Sequence, residues 1–250
     1  KIKAKGITNQ KSSGRCWLFA GLNILRPIVI QKHKLKEFEL SQSYLAFWDK
    51  LEKANCFLEN IIEFRDRDIL DREMEFLLRT PIPDGGYWEN VVNLVEKYGV
   101  TPQDIMPETN SSSNTSLMNA LIGRKLRADA AKLRQMSKEK KSVKRLRAEK
   151  AKMLGEVYKM LAMNLGEPPR KFEWRFEDAN SVVSEVKSYT PKSFFEEVVG
   201  VDMRAYVDVF NDPSKEYGKH YQIRLTRNIR DGDDAHFANV EVQALKDIAA

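Results

Sequence analysis

The sequence of 250 residues predicts an α+β protein, helical over its first two-thirds and carrying a few short strands in its last third. Three observations carry that expectation. Apolar residues recur at helical spacing in long stretches up to about residue 165, and two Pro/Gly clusters, at residues 81–86 and 166–169, interrupt them. Beyond residue 169 short alternating segments take over, at 172–176, 206–210 and 221–225.

From Cys16 onward, Trp17, Phe19, Ala20, Leu22, Ile24 and Leu25 make a run that is apolar nearly all round, as a helix buried mid-domain should be. Pro27 is expected to kink or end it. His33, among lysines, reads as an exposed surface residue. Ser41 is placed to cap a second helix before Tyr44, Leu45, Phe47, Trp48 and Leu51, and the apolar spacing carries that helix on through residue 79. Cys56 in this apolar setting reads as an inert packing residue.

The run Pro81-Ile82-Pro83-Asp84-Gly85-Gly86 is the strongest turn signal in the chain, since its glycines permit positive φ and close backbone approach. It suits either a plain loop between helices or a backbone edge that a ligand can reach. Residues 87–98 form an amphipathic segment closed by Gly99. Residues 110–116 read as an exposed Ser/Asn-rich loop, and 117–165 as helical throughout. Thr190 and Pro191 open a helix through residue 199; residues 206–210 and 221–225, separated by the Asn211-Asp212-Pro213 turn, are strand candidates, and 242–250 begins a last helix.

Composition excludes some classes. The longest apolar run, residues 16–30, is broken by Asn23, Arg26 and Pro27 and is too short to span a bilayer, so no membrane partner is expected. Lys1, Lys3 and Lys5 lead into a polar turn, so secretion is not expected and the protein reads as cytoplasmic. Cys16 and Cys56 provide neither a disulfide framework nor metal-ligand spacing. The net charge of +6 is uneven: residues 124–152 hold thirteen basic and three acidic side chains. That stripe is either a solvated helix face or a phosphate-binding surface, without aromatic residues to read bases.

One stretch is built for chemistry. In Gln10-Lys11-Ser12-Ser13-Gly14-Arg15-Cys16-Trp17 a polar turn breaks into a helix with a cysteine at the break. A thiol in the first helical turn sits in the positive field of unpaired N–H groups, which stabilises thiolate. Gln10, across the turn, is placed to donate a hydrogen bond to an oxyanion.

The run from Gln10 to Phe19 resembles the active-site segment of papain-superfamily cysteine peptidases, and three further stretches follow in that superfamily's order. They are Leu40-Ser41-Gln42-Ser43-Tyr44, Asp84-Gly85-Gly86-Tyr87-Trp88 and Val95-Glu96-Lys97-Tyr98-Gly99-Val100. Together with Trp48-Asp49-Lys50 and Leu165-Gly166-Glu167-Pro168-Pro169, they resemble most specifically the bleomycin hydrolase and bacterial aminopeptidase C family, over nearly the whole chain. The resemblance implies a papain-like core, mostly its helical N-terminal half, with large helical insertions. It implies Cys16 as nucleophile, Gln10 and the Cys16 N–H as oxyanion donors, and Asp84, Gly85 and Gly86 as the substrate loop for a peptide. No metal or cofactor is implied. On this reading residues 1–109 belong to the catalytic domain with an insert near 50–80, residues 110–230 to an insertion used for assembly of a hexamer, and 231–250 to the start of a further half. Nucleic-acid binding through 124–152 is also implied.

A cysteine peptidase further needs a histidine and a third residue to orient it. The resemblance places both in a C-terminal half. Of the three histidines, His33 and His220 read as surface residues, and His236, in Asp233-Asp234-Ala235-His236-Phe237, falls where the family has a turn before a helix. The expectation is therefore a cysteine aminopeptidase that acts through a Cys16 thioester but is catalytically incomplete over these residues. The alternative is a non-catalytic nucleic-acid-binding or assembly subunit on the same scaffold.

Overall fold

The computed structural model describes residues 7–249; Lys1, Lys3 and Lys5, and the expectation placed on them, lie outside the described residues. Its organising element is the helix α2 (Gln42–Glu63), against which α1 (Cys16–Lys32), α4 (Trp88–Tyr98), α6 (Ser116–Lys138) and α7 (Val143–Leu165) all pack. Ser41 caps α2 as expected, accepting from the Tyr44 N–H at 3.0 Å while its hydroxyl donates to the Met106 carbonyl. Because helices surround it, α2 buries Leu45, Phe47, Ala54, Leu58 and Ile61 together with Asp49, Lys50, Glu52, Lys53 and Glu59. Each fully buried large apolar side chain contributes roughly 1.5–3 kcal/mol. Buried charges cost free energy unless partnered, so where these five find partners decides what α2 does.

The structure corrects several boundaries. Pro27 lies inside α1, which runs on to Lys32. The segment expected to be one helix to residue 79 is divided: α2 ends at Glu63, and α3 (Arg72–Arg79) starts afresh where the Asp71 carboxylate accepts from the Glu73 and Met74 N–H groups. Likewise the expected helix over 117–165 folds back at Lys140, whose φ is 58°, into the hairpin of α6 and α7. One unbroken helix of that length would carry Leu146, Val157 and Leu161 away from the core; the turn returns them to α2 and α6, where they are fully buried. The expected loop at 110–116 contains a short helix, α5 (Asn110–Ser113), capped by Thr109, with Ser112 buried.

The last third is as strand-poor as expected. β1 (Phe172–Trp174) pairs antiparallel with β2 (Lys187–Tyr189). Thr190 caps α8 (Pro191–Phe194), which continues as a π-helical turn over Phe195–Val199. β3 (Val209–Phe210) and β4 (Lys219–Gln222) are shorter than their sequence candidates and do not pair with each other; both pair with β5 (His236–Asn239), a strand the sequence reading does not contain. His236 thus sits in a strand, not in a turn before a helix. α9 (Val242–Ala249) follows as expected. Among the described residues no helix is long and apolar enough to cross a membrane. Gly99, in the left-handed region at φ 72°, ends α4.

Candidate active site

The turn before α1 is held from three sides. The Ser13 hydroxyl donates to the Gln10 carbonyl at 2.7 Å, and the Ser12 N–H donates to the Ser113 carbonyl of α5 at 2.9 Å. Arg15, 2% exposed, makes a bidentate pair with Glu108 at 3.0 and 2.6 Å, donates from Nε to the Ser13 hydroxyl, and lies over the Phe19 ring. Cys16 follows as the first residue of α1 and is exposed. The Arg15 carbonyl accepts from the Leu18 and Phe19 N–H groups, so those of Cys16 and Trp17 have no acceptor within the helix. Gln10 is half-buried on the same turn, with its Oε1 buried and without a hydrogen-bond partner.

The Pro/Gly run faces this turn and interlocks with it. The Trp17 indole N–H donates to the Asp84 carbonyl at 2.7 Å, and the Gly14 N–H donates to Asp84 Oδ2 at 3.1 Å. At both contacts a glycine makes the approach possible. A methyl group added at Gly14 would lie 2.7 Å from Asp84 Cβ, and one at Gly86 2.6 Å from Trp17 Cε2. Neither Gly14 nor Gly85 nor Gly86 uses positive φ; among the turn residues only Lys11 does, at 53°. The glycines of the site therefore serve close approach and not the left-handed conformation.

Two lysines of α2 fix the loop from beneath. Lys50, 2% exposed, donates to the carbonyls of Ile82 and Pro83 and to Asp84 Oδ1 at 2.5 Å; Lys53 donates to the carbonyls of Pro83 and Gly85 and pairs with Asp49 at 2.8 Å. Lys53 also lies over the Trp17 ring, 5.1 Å from its centroid. Asp49 in turn accepts from the Asn228 amide, which ties α2 to the segment before β5. Three of the five buried charges, Asp49, Lys50 and Lys53, thus gather under the loop, while Glu52 pairs with Lys97 and Glu59 with Arg147 and Lys150. Thr115 and Asn119, at the start of α6, complete the shell by donating to Asp84 Oδ2 at 2.5 Å and Oδ1 at 2.7 Å.

Burial opposes ionisation of Asp84, but the Lys50 ammonium and the hydrogen bonds from Lys50, Thr115 and Asn119 outweigh it and hold the carboxyl well below the usual carboxylate range. A carboxyl that ionises more easily folded than unfolded stabilises the fold in full above its unfolded value, near ~4, and loses that contribution as pH falls below it. Asp84→Asn is accordingly expected to be less stable at neutral pH but to show a shallower loss of stability below that value, measured by circular dichroism during acid titration. Burial pushes the Lys50 ammonium down to about 8, and the Cys56 thiol, which donates to the Asn228 carbonyl, up to about 12. The latter agrees with an inert packing cysteine.

None of the three histidines hydrogen-bonds with Cys16 among the described residues. His33 is not an exposed surface residue: half-buried, it makes a 3.0 Å bond with the Val198 carbonyl and packs edge-on against Phe176. His220 is exposed on β4, as expected. His236 places Nδ1 3.3 Å from Glu89 and lines a small cavity with Trp88, Tyr206 and Arg204.

The basic stripe divides into two parts. Lys125, Lys132, Arg147, Lys150 and Lys152 pair with carboxylates, Glu59 of α2 receiving both Arg147 and Lys150, while Arg127 and Arg134 donate to carbonyls at the ends of α3 and α2. Lys138, Lys140, Lys141, Lys144 and Arg145, around the turn between α6 and α7, have no side-chain partner among the described residues. Sequence reading assigned roles to Gln10, Cys16 and the glycine loop, but none to Arg15, Lys50, Lys53, Thr115 or Asn119. The available signal was the clustering of Asp49, Lys50 and Lys53 directly after the apolar run Tyr44–Trp48 of a helix otherwise read as core.

The fold has close counterparts. The description "Peptidase C1-like family" matches residues 1–250. The chain belongs to that family. It is 42% identical over 245 residues to an Aminopeptidase C of Streptococcus thermophilus, covering 97% of this chain and 55% of that protein. It is 42% identical over 251 residues to an Aminopeptidase C of Listeria monocytogenes, covering 100% and 56%. The crystal structure of pepw from Lactobacillus rhamnosis superposes with a TM-score of 0.96 at 40% identity, covering 99% of this chain and 56% of that one. The chain therefore spans about half the length of the relatives it matches, and its α+β architecture is papain-like, as the sequence predicts.

Proposed function

We propose that this chain carries the nucleophile half of a cysteine aminopeptidase. The observation that supports it best is the interlock of the Cys16 turn with the Asp84-Gly85-Gly86 loop through Gly14 and Trp17, which joins the turn bearing an exposed thiol to the loop bearing the two glycines. Cys16 attacks the carbonyl carbon of the first peptide bond, the tetrahedral oxyanion is held by the Cys16 N–H and the Gln10 amide, and collapse to a thioester releases the shortened peptide. Gly85 and Gly86 pair with the substrate backbone. Beside them a cavity of about 470 Å³, walled by Phe57, Phe76, Leu77 and Pro81, offers room for an apolar side chain.

The thiol proton and the leaving amine need an imidazole. His33 and His236 are engaged elsewhere and His220 stands on an exposed strand, so the base is supplied by residues other than these three. Residues 1–250 alone are expected to show no turnover of aminoacyl amides, whereas the same residues joined to the C-terminal portion of an Aminopeptidase C relative regain it, and lose it again on Cys16→Ala. Turnover by residues 1–250 that disappears on Cys16→Ala would refute the incomplete-site reading and return His220 or His236 to candidacy.

A second reading is favoured by the five unpartnered cations between Lys138 and Arg145, a cluster suited to phosphate. Nucleic-acid binding there is expected to weaken steeply with salt and to vanish on charge reversal at Lys140, Lys141, Lys144 and Arg145. The assembly we propose is a homo-hexamer, as the family resemblance implies, in a reducing cytoplasmic setting that suits the two free cysteines. Sedimentation of the full chain tests the hexamer.

A further inference from the structure

Asp84 adjoins the two glycines of the proposed substrate edge, which invites a role as substrate ligand. Its hydrogen bonds argue otherwise. An ionised carboxylate has about four lone-pair sites. Oδ1 accepts from Lys50 at 2.5 Å and Asn119 at 2.7 Å; Oδ2 accepts from the Gly14 N–H at 3.1 Å and Thr115 at 2.5 Å. All four sites are filled from within the protein, by donors on three different elements. Its backbone carbonyl is occupied as well, by the Trp17 indole.

We infer that Asp84 is a positioning residue: its carboxylate locks the turn that carries Cys16 to the Gly85–Gly86 edge at a fixed separation, with Lys50, Thr115 and Asn119 as its anchors. The inference rests on the aminopeptidase reading for its catalytic consequence, though not for its geometry. Gly14 is two residues from the nucleophile, and Gly85 follows Asp84 directly. The Asp84 carboxylate therefore acts, alongside the Trp17 indole, on the distance between attacking sulfur and bound carbonyl. The missing Cβ at Gly14 belongs to the same device, because any side chain there would collide with Asp84 Cβ at 2.7 Å. α6 reaches the Cys16 turn through this joint. Thr115 shares Oδ2 with the Gly14 N–H and Asn119 bonds Oδ1, and neither need touch substrate.

The test uses the full chain in catalytically complete form, with Asp84→Ala, Asp84→Asn and Thr115→Val, and reads kcat and KM separately for an aminoacyl amide. Because misplacing reacting groups by about 1 Å costs about 100-fold, Asp84→Ala is expected to lower kcat by about that factor with KM changed less than ~3-fold. Asp84→Asn, which keeps one acceptor oxygen, falls between it and the parent, and Thr115→Val, which retains the carboxylate, loses several-fold in kcat alone. A substrate ligand would behave differently: KM would rise at nearly constant kcat in Asp84→Asn, and Thr115→Val would be silent. Either result overturns the proposal. The rate of Cys16 alkylation by iodoacetamide is read in parallel and needs no turnover. It is expected to fall about 5-fold in Asp84→Ala and Thr115→Val as the helix start loosens, and unchanged alkylation in both folded variants also overturns it. If the parent hydrolyses no aminoacyl amide, the aminopeptidase reading fails, while slowed alkylation still supports the joint.

Discussion

Lys50→Met lowers the thermal midpoint by about 10 °C, the largest stability loss expected from a single change at the site. Lys50 is fully enclosed, and its ammonium serves two carbonyls of the 82–83 segment and the Asp84 carboxylate at once. Methionine matches its length and apolar stem but offers no donor. Asp84 is then left half-buried with three neutral donors and no counter-charge, and the carbonyls of Ile82 and Pro83 lose this donor. Breaking a buried ion pair by removing one partner costs about 3–5 kcal/mol. In a chain of this size each kcal/mol moves the midpoint by roughly 2–4 °C.

The pH dependence separates this ion-pair loss from simple loss of packing. Since burial pushes Lys50 down to about 8, below the unfolded lysine value, the penalty of enclosing its charge is present in full below that pH. It is relieved as pH rises through 8 towards the unfolded value near ~10.4. Over that interval this one group adds stability to the parent and nothing to Lys50→Met. The gap between the two thermal midpoints should therefore differ between pH 7 and pH 9.5. An unchanged gap would mean that burial does not depress Lys50 in the folded chain, whereas a midpoint within a degree or two of the parent at both would mean that Lys50 is not the counter-charge the geometry indicates.

The sequence conveys elements better than the partners between them. The helix start at Ser41, the cap at Thr190, the stop at Gly99 and the break at Cys16 are local signals, each written in two or three adjacent residues, and each recurs in the structure. The reversal at Lys140 is not local in that sense. Residues 137–142 are all polar and end in the Ser142 cap of α7, but Met136 and Val143 stand seven residues apart, in helical phase, and only docking on α2 makes turning back favourable. β5 escaped detection because His236-Phe237-Ala238-Asn239 does not alternate; it is a strand because β3 and β4 flank it. The same division holds at the site. Cys16, Gly85 and Gly86 stand out by their neighbours in sequence, whereas Arg15 finds Glu108 across 93 residues and Lys50 finds Asp84 across 34. Such pairings are decided by tertiary approach, and a charged residue on the buried face of a helix announces only that some partner must exist.

Gly86→Ala is expected to lower kcat/KM for an aminoacyl amide by about 100-fold, while Gly85→Ala leaves it within ~3-fold, a contrast that follows from what each added methyl group meets. At Gly85 nothing lies within 4 Å and φ is not positive, so alanine fits the existing backbone. At Gly86 the methyl would fall 2.6 Å from Trp17 Cε2, 2.7 Å from Cδ2 and 3.0 Å from Asn90 Oδ1. None of these neighbours is free to yield. The indole is bonded to the Asp84 carbonyl and covered by Lys53; the Asn90 oxygen accepts from the Tyr87 N–H at the start of α4. The strain must go into the loop itself. Moving Gly86 outward displaces the edge on which the substrate backbone rests, and pulls against the Lys53 bond to the Gly85 carbonyl. A shift of about 1 Å there is enough to take the scissile carbonyl out of line with Cys16. Equal kinetic effects of the two alanines would place the substrate edge elsewhere, and a harmless Gly86→Ala would show that Trp17 is not the fixed wall its hydrogen bond and its lysine make it.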